Sequence, residues 1–496
     1  MTDVDATTTE TARFSPQARP SALPLPVVLA GVVLVAMSIS GTAVALPGIG
    51  RDLDASGSAL NWVVAGYNLA FAAMTLVAGS AADRVGRRRT FVVSALVFSG
   101  GFLVTAVSPS VLFTDAARIV SGAGGAGIMA AGGAILASSY EGAARNRAFA
   151  LMGTMAGIGI AVGPTLSGLL ISATGWRGSF VVYTVVGLLI TSGATRMAES
   201  RAATGPADWP GSLLFVAALA LLMFALLEAS SLGWTHGAVI TTAVGGLVAL
   251  AVFVALQRLS ASPVLSPSLI ANRGFVGWSL ATLTTSVGFL GVLVFLPTYL
   301  QAAADLTPAA AGTAMLLLTA PVLVTPLAAA TLVNKGVSAR KLIMAALALV
   351  TIGNLWLGTL SPQHTVAGVA GPLLAIGVGM GASFGITDGQ AMALVPADSV
   401  GMAAGFLNTL RGAAEAMVIA AFGAALLGLL GNRLGDGKQA ASVSAGRISH
   451  VHRHAELDAL TWSWRMTQLG VAVLCLLLSV TVVALIRHHG PRPKTI

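Results

Sequence analysis

Several charged residues stand in stretches of this chain that are otherwise apolar enough to lie in lipid. Arg411 and Glu415 interrupt the run LNTLRGAAEAMVIAAFGAALLGLL, residues 407–430. A full charge in hydrocarbon costs at least about 3 kcal/mol, so each needs a partner or a task. Their i, i+4 spacing lets them meet on one helix face. In one reading they neutralise each other and face a bundle interior. In the other, burial opposes the charge on Glu415 while the arginine favours it, leaving an acid that can titrate as a cavity opens to either side. A proton or a cationic substrate would then switch the local charge. Glu415 lies roughly 20 Å along its helix, near the middle of a bilayer core about 30 Å thick. Asp388, within GITDGQAMALVPAD, is placed to pair with Arg411 or to act as a second relay. Arg118 and Asp115, one turn apart in DAARIVSGAGGAG, could form an internal ion pair. Glu228, near the end of another apolar run, reads as interfacial. Ser38, Ser40, Trp62, Tyr67 and Asn68 are the polar and aromatic groups expected to line a cavity on the first two helices.

Other chemistries find little support. There is no hydrolytic triad and no Walker A sequence, so catalysis and ATP drive are not expected. The single cysteine, Cys475, sits in an apolar run and supports neither a disulfide framework nor a Cys/His metal centre. His452 and His454 in HVHRH read as part of a solvated loop rather than a metal site. No metal and no cofactor is expected. The net charge of +9 would suggest nucleic acid for a soluble chain, but the basic residues sit in loops. With 56% hydrophobic and 9% charged residues among 496, the chain is too apolar for a solvated surface. Its expected partners are the lipid bilayer, protons and a small-molecule substrate, with the protein acting as a monomer.

The elements that must position these groups are membrane helices. A span needs about 20 mostly apolar residues, and fourteen candidates begin near 25, 60, 91, 111, 148, 178, 209, 237, 275, 308, 340, 366, 402 and 464. Most of the 27 Lys and Arg fall on one side of the resulting topology, which places both termini in the cytoplasm. The first 24 residues are polar and Thr-rich, without the basic and apolar regions of a cleaved signal, and are expected to form a disordered cytoplasmic tail. Two linkers, RMAESRAATGPADWPG and QRLSASPVLSPSLIANRG, divide the rest into six, two and six spans. The expected domains are a six-helix bundle over 25–196, two inserted helices over 208–257, a second bundle over 274–487 and a cytoplasmic tail over 488–496. Such an arrangement puts a substrate cavity between the halves, near the midplane.

Between the second and third spans lies GSAADRVGRRRT. With Gly79, Asp83, Arg84, Gly86, Arg87 and Arg88 it resembles the loop signature of the major facilitator superfamily. Gly79 would let the second span approach a neighbour closely, and Asp83 could pair with Arg87, so that the cluster acts as a conformational latch. The related loop of the second half, VNKGVSARKLI, lacks the acid. In the fifth span, GTMAGIGIAVGPTLSGLL resembles the superfamily's antiporter motif through Gly159, Gly163, Pro164 and Gly168, preceded by Gly153 and Gly157. A small-residue face with a proline kink would let this helix bend against the other half. Arg118 falls where the superfamily places an arginine implicated in proton movement. WVVAGYNLA, GWRGSF, DWPG, LPTYLQ and VPADSVGMAAGFLNTLR extend the likeness over nearly the whole chain, to the fourteen-span drug:proton antiporter branch.

The resemblance implies an all-α membrane protein of the major facilitator fold in the bacterial inner membrane. It also implies proton-driven efflux of a hydrophobic or amphipathic drug or antibiotic by alternating access. The chain departs from that branch in two places. The first span reads MSISGTAVALP, with Ser38 where the branch carries an aspartate, and a serine cannot hold a proton as a carboxylate does. Glu415 is an acid gained where the branch is small. Loss in one half and gain in the other suggests that the proton site has moved. An uncoupled facilitator, a flippase for lipid or envelope intermediates, and a non-transporting scaffold are the alternatives.

Overall fold

A computed structural model describes residues 23–140, 142–201, 209–259, 271–361, 366–394, 400–449 and 451–486. Both tails and part of each linker lie outside the described residues. Among those described, every regular element is helical. The helices are α1 Pro24–Asp52, α2 Gly57–Val85, α3 Arg87–Ala106, α4 Val111–Ser139, α5 Gly142–Ala194, α6 Trp209–Leu232 and α7 Gly237–Leu259. They continue with α8 Arg273–Ala303, α9 Pro308–Ala314, α10 Leu316–Thr319, α11 Pro321–Asn334, α12 Ala339–Leu357 and α13 Val366–Met392. The last are α14 Val400–Leu434, α15 Gly437–Ser444 and α16 Arg453–Ile486.

Twelve helical stretches are long and apolar enough to cross a membrane, and α2, bent by 46° between Thr75 and Val77, makes a thirteenth. The 53 residues of α5 are two spans, because Gly175 at φ 73 breaks the helical course between them. Among the described residues, counting α5 as two brings these candidate stretches to the fourteen expected from hydropathy. Local chemistry sets several starts. Asn272 accepts hydrogen bonds from the backbone N–H of Gly274 and Phe275 at 3.0 and 3.2 Å, capping α8. Thr307 caps α9 ahead of Pro308, whose missing N–H costs nothing in the first turn.

Alternating helix direction gives the molecule two ends. The basic end carries Arg84–Arg89 and the start of α8; the far end carries the α1–α2 turn, Gly175 and α15. In the first half, α1 packs on α5, α2 on α4, and α3 on both α4 and α5. In the second, α8 packs on α13, α14 and α16, and α12 on α13 and α16. The inserted pair α6–α7 packs against α2 and α14.

The segment over 431–461, expected as one long loop, is largely helical. Asp436 caps α15 by accepting from the Lys438 N–H at 2.8 Å. The buried Glu456 accepts from Gln439 at 2.7 Å and from the Ser449 N–H at 2.6 Å, folding the segment on itself. As a result α16 begins at Arg453, about three turns before the apolar run, and His454 lies on a helix. Among the described residues no group of three or more His, Cys, Asp or Glu side chains is placed to hold a metal.

Candidate functional site

The charged groups of the second half converge where α13 and α14 pass each other. Arg411 donates from one terminal nitrogen to both carboxylate oxygens of Asp388, at 2.8 and 3.1 Å. Its guanidinium also lies 4.9 Å from the centre of the Phe384 ring. The sequence left Arg411 two possible partners, Glu415 at i, i+4 and Asp388. The structure pairs it with Asp388 on the neighbouring helix, where it gains a carboxylate and an aromatic face together. Glu415 lies one turn further towards the far end and is partly exposed. The three groups carry one net negative charge when both acids are ionised. Chemically, that arrangement accepts one cation, either a proton or a positively charged group.

Two seams between the halves flank this site. In the first, α5 faces α9 and α10. Thr165 donates to the Gly312 carbonyl at 2.9 Å, the Ala309 N–H donates to Ser172 at 3.2 Å, and Thr319 donates to the Ala161 carbonyl at 2.7 Å. A Cβ on Gly168 would run into the Pro308 carbonyl, and one on Gly312 into the Pro164 carbonyl, so the two backbones touch. Gly153 and Gly157 continue the same helix face towards the basic end, and a Cβ on either would meet nothing within 4 Å. In the second seam, α2 faces α14. Gly423 lies against Asn61 and Gly412 against Ala72, yet Gly79, further along that face, again has open space. Among the described residues, both seams are therefore shut at the far end and open at these glycines towards the basic end. Arg447 strengthens the closure, donating to Asp54 at 2.7 Å, as does Gln301, donating to the Val44 carbonyl at 3.4 Å.

This geometry revises two readings of the glycines. The close approach expected at Gly79 is not made in this conformation: among the described residues, no neighbouring helix comes within 4 Å of an added Cβ. Of the motif residues in α5, Gly168 and Pro164 meet the other half, while Gly159 and Gly163 turn inward against α1, where they would strike Ala36 and Ser40 if they carried a Cβ.

Arg118 is fully buried, and no ion pair with Asp115 forms. Its Nε donates to the Val63 carbonyl at 3.2 Å, and its guanidinium lies 4.3, 5.3 and 5.8 Å from the ring centres of Tyr67, Phe102 and Phe180. Its two terminal nitrogens and Asp115 Oδ1 are buried without a hydrogen-bond partner. The cation is thus held by π faces. Ser38 donates to the Tyr67 hydroxyl at 2.9 Å, and Ser167 shares a 2.7 Å hydrogen bond with Tyr183. Ser38, Ser40, Tyr67 and Asn68 are all buried inside the first bundle rather than lining an open surface. Trp62 points elsewhere, donating to Glu228 on α6 at 3.1 Å.

At the basic end Asp83 pairs with Arg87 at 3.2 Å. The cluster has a further member that the loop motif does not contain. Glu199, after α5, accepts from the backbone N–H of Arg88 and Arg89 at 3.0 and 3.2 Å, capping α3. Gly86 leaves room for it: φ is +128, and a Cβ would come 2.7 Å from the Glu199 carboxylate. Arg84 stands next to Asp83 in the last turn of α2. A shallow pocket at the far end, lined in part by Arg51, Asp52, Ser172 and Trp176, lies away from the Arg411 charges.

The sequence profile of the Major Facilitator Superfamily matches residues 28–419. The puromycin resistance protein pur8 of Streptomyces alboniger is 32% identical over 404 residues, 80% of each chain. The methylenomycin A resistance protein of Streptomyces coelicolor is 31% identical over 422 residues, 82% of this chain and 86% of that one. Among solved structures, a bacterial homologue of the human lysosomal transporter Spinster, crystallised inward-facing and unoccupied, aligns with a TM-score of 0.67 at 14% identity, over 95% of this chain and 98% of that one.

Proposed function

Since the chain belongs to the major facilitator superfamily, as a multi-pass membrane protein related to bacterial antibiotic-resistance exporters, we propose that it exports a hydrophobic or amphipathic compound of antibiotic type by proton-driven alternating access. It works as a monomer in the inner membrane, with the basic end and both termini in the cytoplasm, and needs no cofactor beyond the proton gradient. The observation that carries this reading is the joint state of the two seams, shut at the far end and open at their glycines towards the basic end, with a partly exposed acid between them. A substrate arriving from the cytoplasm enters through the open end. The surplus negative charge of Asp388, Arg411 and Glu415 holds either a cationic group of the substrate or a proton, and exchange between them couples the two flows. Glu415 is the proton site, taking the role left open by Ser38. Arg411, neutralised by Asp388, keeps the surplus at one charge. The latch at Asp83 and Arg87 biases the basic end.

The test is efflux of a fluorescent amphipathic cation such as ethidium from cells, and its uptake into inside-out vesicles, with and without a proton gradient. Glu415→Gln removes the surplus charge, so it should bind the cationic dye more weakly and lose the acceleration that the gradient gives. Gradient-driven transport that survives in Glu415→Gln removes this residue as the coupling site. A specific observation favours a second reading, an uncoupled facilitator: the first helix carries no acid, and Ser38 is engaged with Tyr67. Native transport that ignores the proton gradient and reverses with the dye gradient would select that reading.

A further inference from the structure

We propose that the inserted hairpin α6–α7 is a seal that rides on the first half and covers the α2–α14 seam, with Glu228 as the positioning residue that hooks it to α2. This rests on the alternating-access reading and adds to it a task for the two extra helices.

Glu228 sits about four residues before the far end of α6, at a depth where a carboxylate needs strong donors. It has two. The indole N–H of Trp62 donates to Oε1 at 3.1 Å and the Ser58 hydroxyl to Oε2 at 3.4 Å. These donors are i, i+4 on α2, so they present one face to the inserted helix. Met223 and Leu227, one turn apart on α6, are buried in the main hydrophobic core of the two bundles rather than in a core of their own. The partner α7 stays largely exposed, with only 17% of its span buried. Thus α6 is the inner member of the hairpin, and it touches both walls of a single seam, α2 on one side and α14 on the other.

The two walls hold it by different means. Leaving α2 would strip a carboxylate of two charge-assisted hydrogen bonds, while the α6 side chains in the shared core, Met223 and Leu227, are apolar and can slide. When the far end opens, the hairpin therefore stays with α2, and its apolar face bridges the widening gap to α14. The α5–α9 seam is closed instead by direct backbone contact. An amphipathic substrate leaving laterally for the bilayer at the far end consequently exits past α5 and α9, not past α2 and α14.

Cross-linking tests the attachment. The chain has a single cysteine, Cys475, and it is buried. A short bifunctional thiosulfonate applied to Ser58→Cys/Glu228→Cys ties α6 to α2. Applied to Gly50→Cys/Ala445→Cys, whose Cβ atoms would lie 3.7 Å apart, it ties the first half to the second. The α6–α2 tie should leave dye export within about twofold of native, while the tie between halves should reduce it at least about tenfold, reversibly with reductant. An α6–α2 tie that blocks export as strongly as the other overturns the proposal.

A second measurement does not depend on export and so separates this failure from failure of the functional reading. Spin labels are placed on Leu232 of α6 paired with Arg51, and on Leu232 paired with Val451. Distances are compared between native protein and Gly168→Val, whose far end cannot shut. The Leu232 to Arg51 distance should stay fixed, and the Leu232 to Val451 distance should lengthen. A first distance that lengthens, or a second that does not, overturns the proposal.

Discussion

The two seams between the halves do the same work with different materials. Along α5 and α9 the closure is backbone on backbone, made possible by Gly168 and Gly312 and fixed by Thr165 and Ser172. Along α2 and α14 the contact is side chain against small residue, Asn61 on Gly423 and Ala72 on Gly412, with the inserted helix packed over it. Backbone contact is short-ranged and unforgiving, because a carbonyl cannot move aside as a side chain can. Contact through side chains tolerates small changes but leaves a looser joint. The first seam thus behaves as a hinge-like zip that opens or shuts as a unit, and the second as a joint that needs a cover.

Substituting the seam glycines should break this comparison most sharply. Gly312→Val or Gly168→Val puts a branched side chain into a facing carbonyl. Overpacking of this kind costs about 2–3 kcal/mol, which shifts the closing equilibrium about 30- to 150-fold against a shut far end. Dye export should be lost while the folded protein persists, which a thermal melt in detergent can check. Gly412→Ala in the other seam brings a Cβ to 3.2 Å from the Ala72 Cβ, a milder approach than those a Cβ at Gly312 or Gly168 makes to the Pro164 and Pro308 carbonyl oxygens. Export should fall by no more than about threefold. If the two seams respond alike, the distinction between them fails.

The hook between α6 and α2 gives a smaller effect. Glu228→Leu leaves the Trp62 indole and the Ser58 hydroxyl without their acceptor, a cost of about 1–3 kcal/mol. Glu228→Gln keeps a carbonyl acceptor for Trp62 and should recover most of the lost thermal stability. Equal losses in both variants would mean that charge, rather than hydrogen bonding, holds the hairpin.

Much of this arrangement can be read from the sequence, and the rest depends on neighbours far along the chain. Hydropathy finds the crossings, since Asn272, Thr307 and Pro308 announce helix starts in local chemistry. It misses α15 and the first turns of α16, because Glu456 stabilises them through Gln439 and Ser449 without any apolar run. Spacing allowed Arg411 to meet Glu415, Asp388 or both, and only the packing of α13 on α14 decides for Asp388. The aromatic cage of Arg118 draws Tyr67, Phe102 and Phe180 from three helices, so no local pattern marks it. Glu199 and Glu228 find their partners more than a hundred residues away. Their signal in the sequence is only that each is an acid beside or within an apolar helix.

The smallest effect is expected at the basic end, where both seams are open at their glycines. Asp83 and Arg87 form an i, i+4 pair with the carboxylate 39% exposed, so Asp83→Asn should lower stability by no more than about 0.5 kcal/mol. Gly79→Leu should be as harmless to the fold in this conformation, since nothing lies within 4 Å of the added Cβ. Transport is a different matter. Gly79 continues the face of α2 that meets α14 through Asn61 and Ala72, so closing the basic end brings it against that helix. Gly79→Leu should therefore melt like the native protein and still slow export, by favouring the state in which this end is parted. The comparison of melting temperature with dye export separates the two states at one residue. If Gly79→Leu both melts and exports like the native protein, α2 and α14 do not close at this end along that face, and the second seam acts only at the far end.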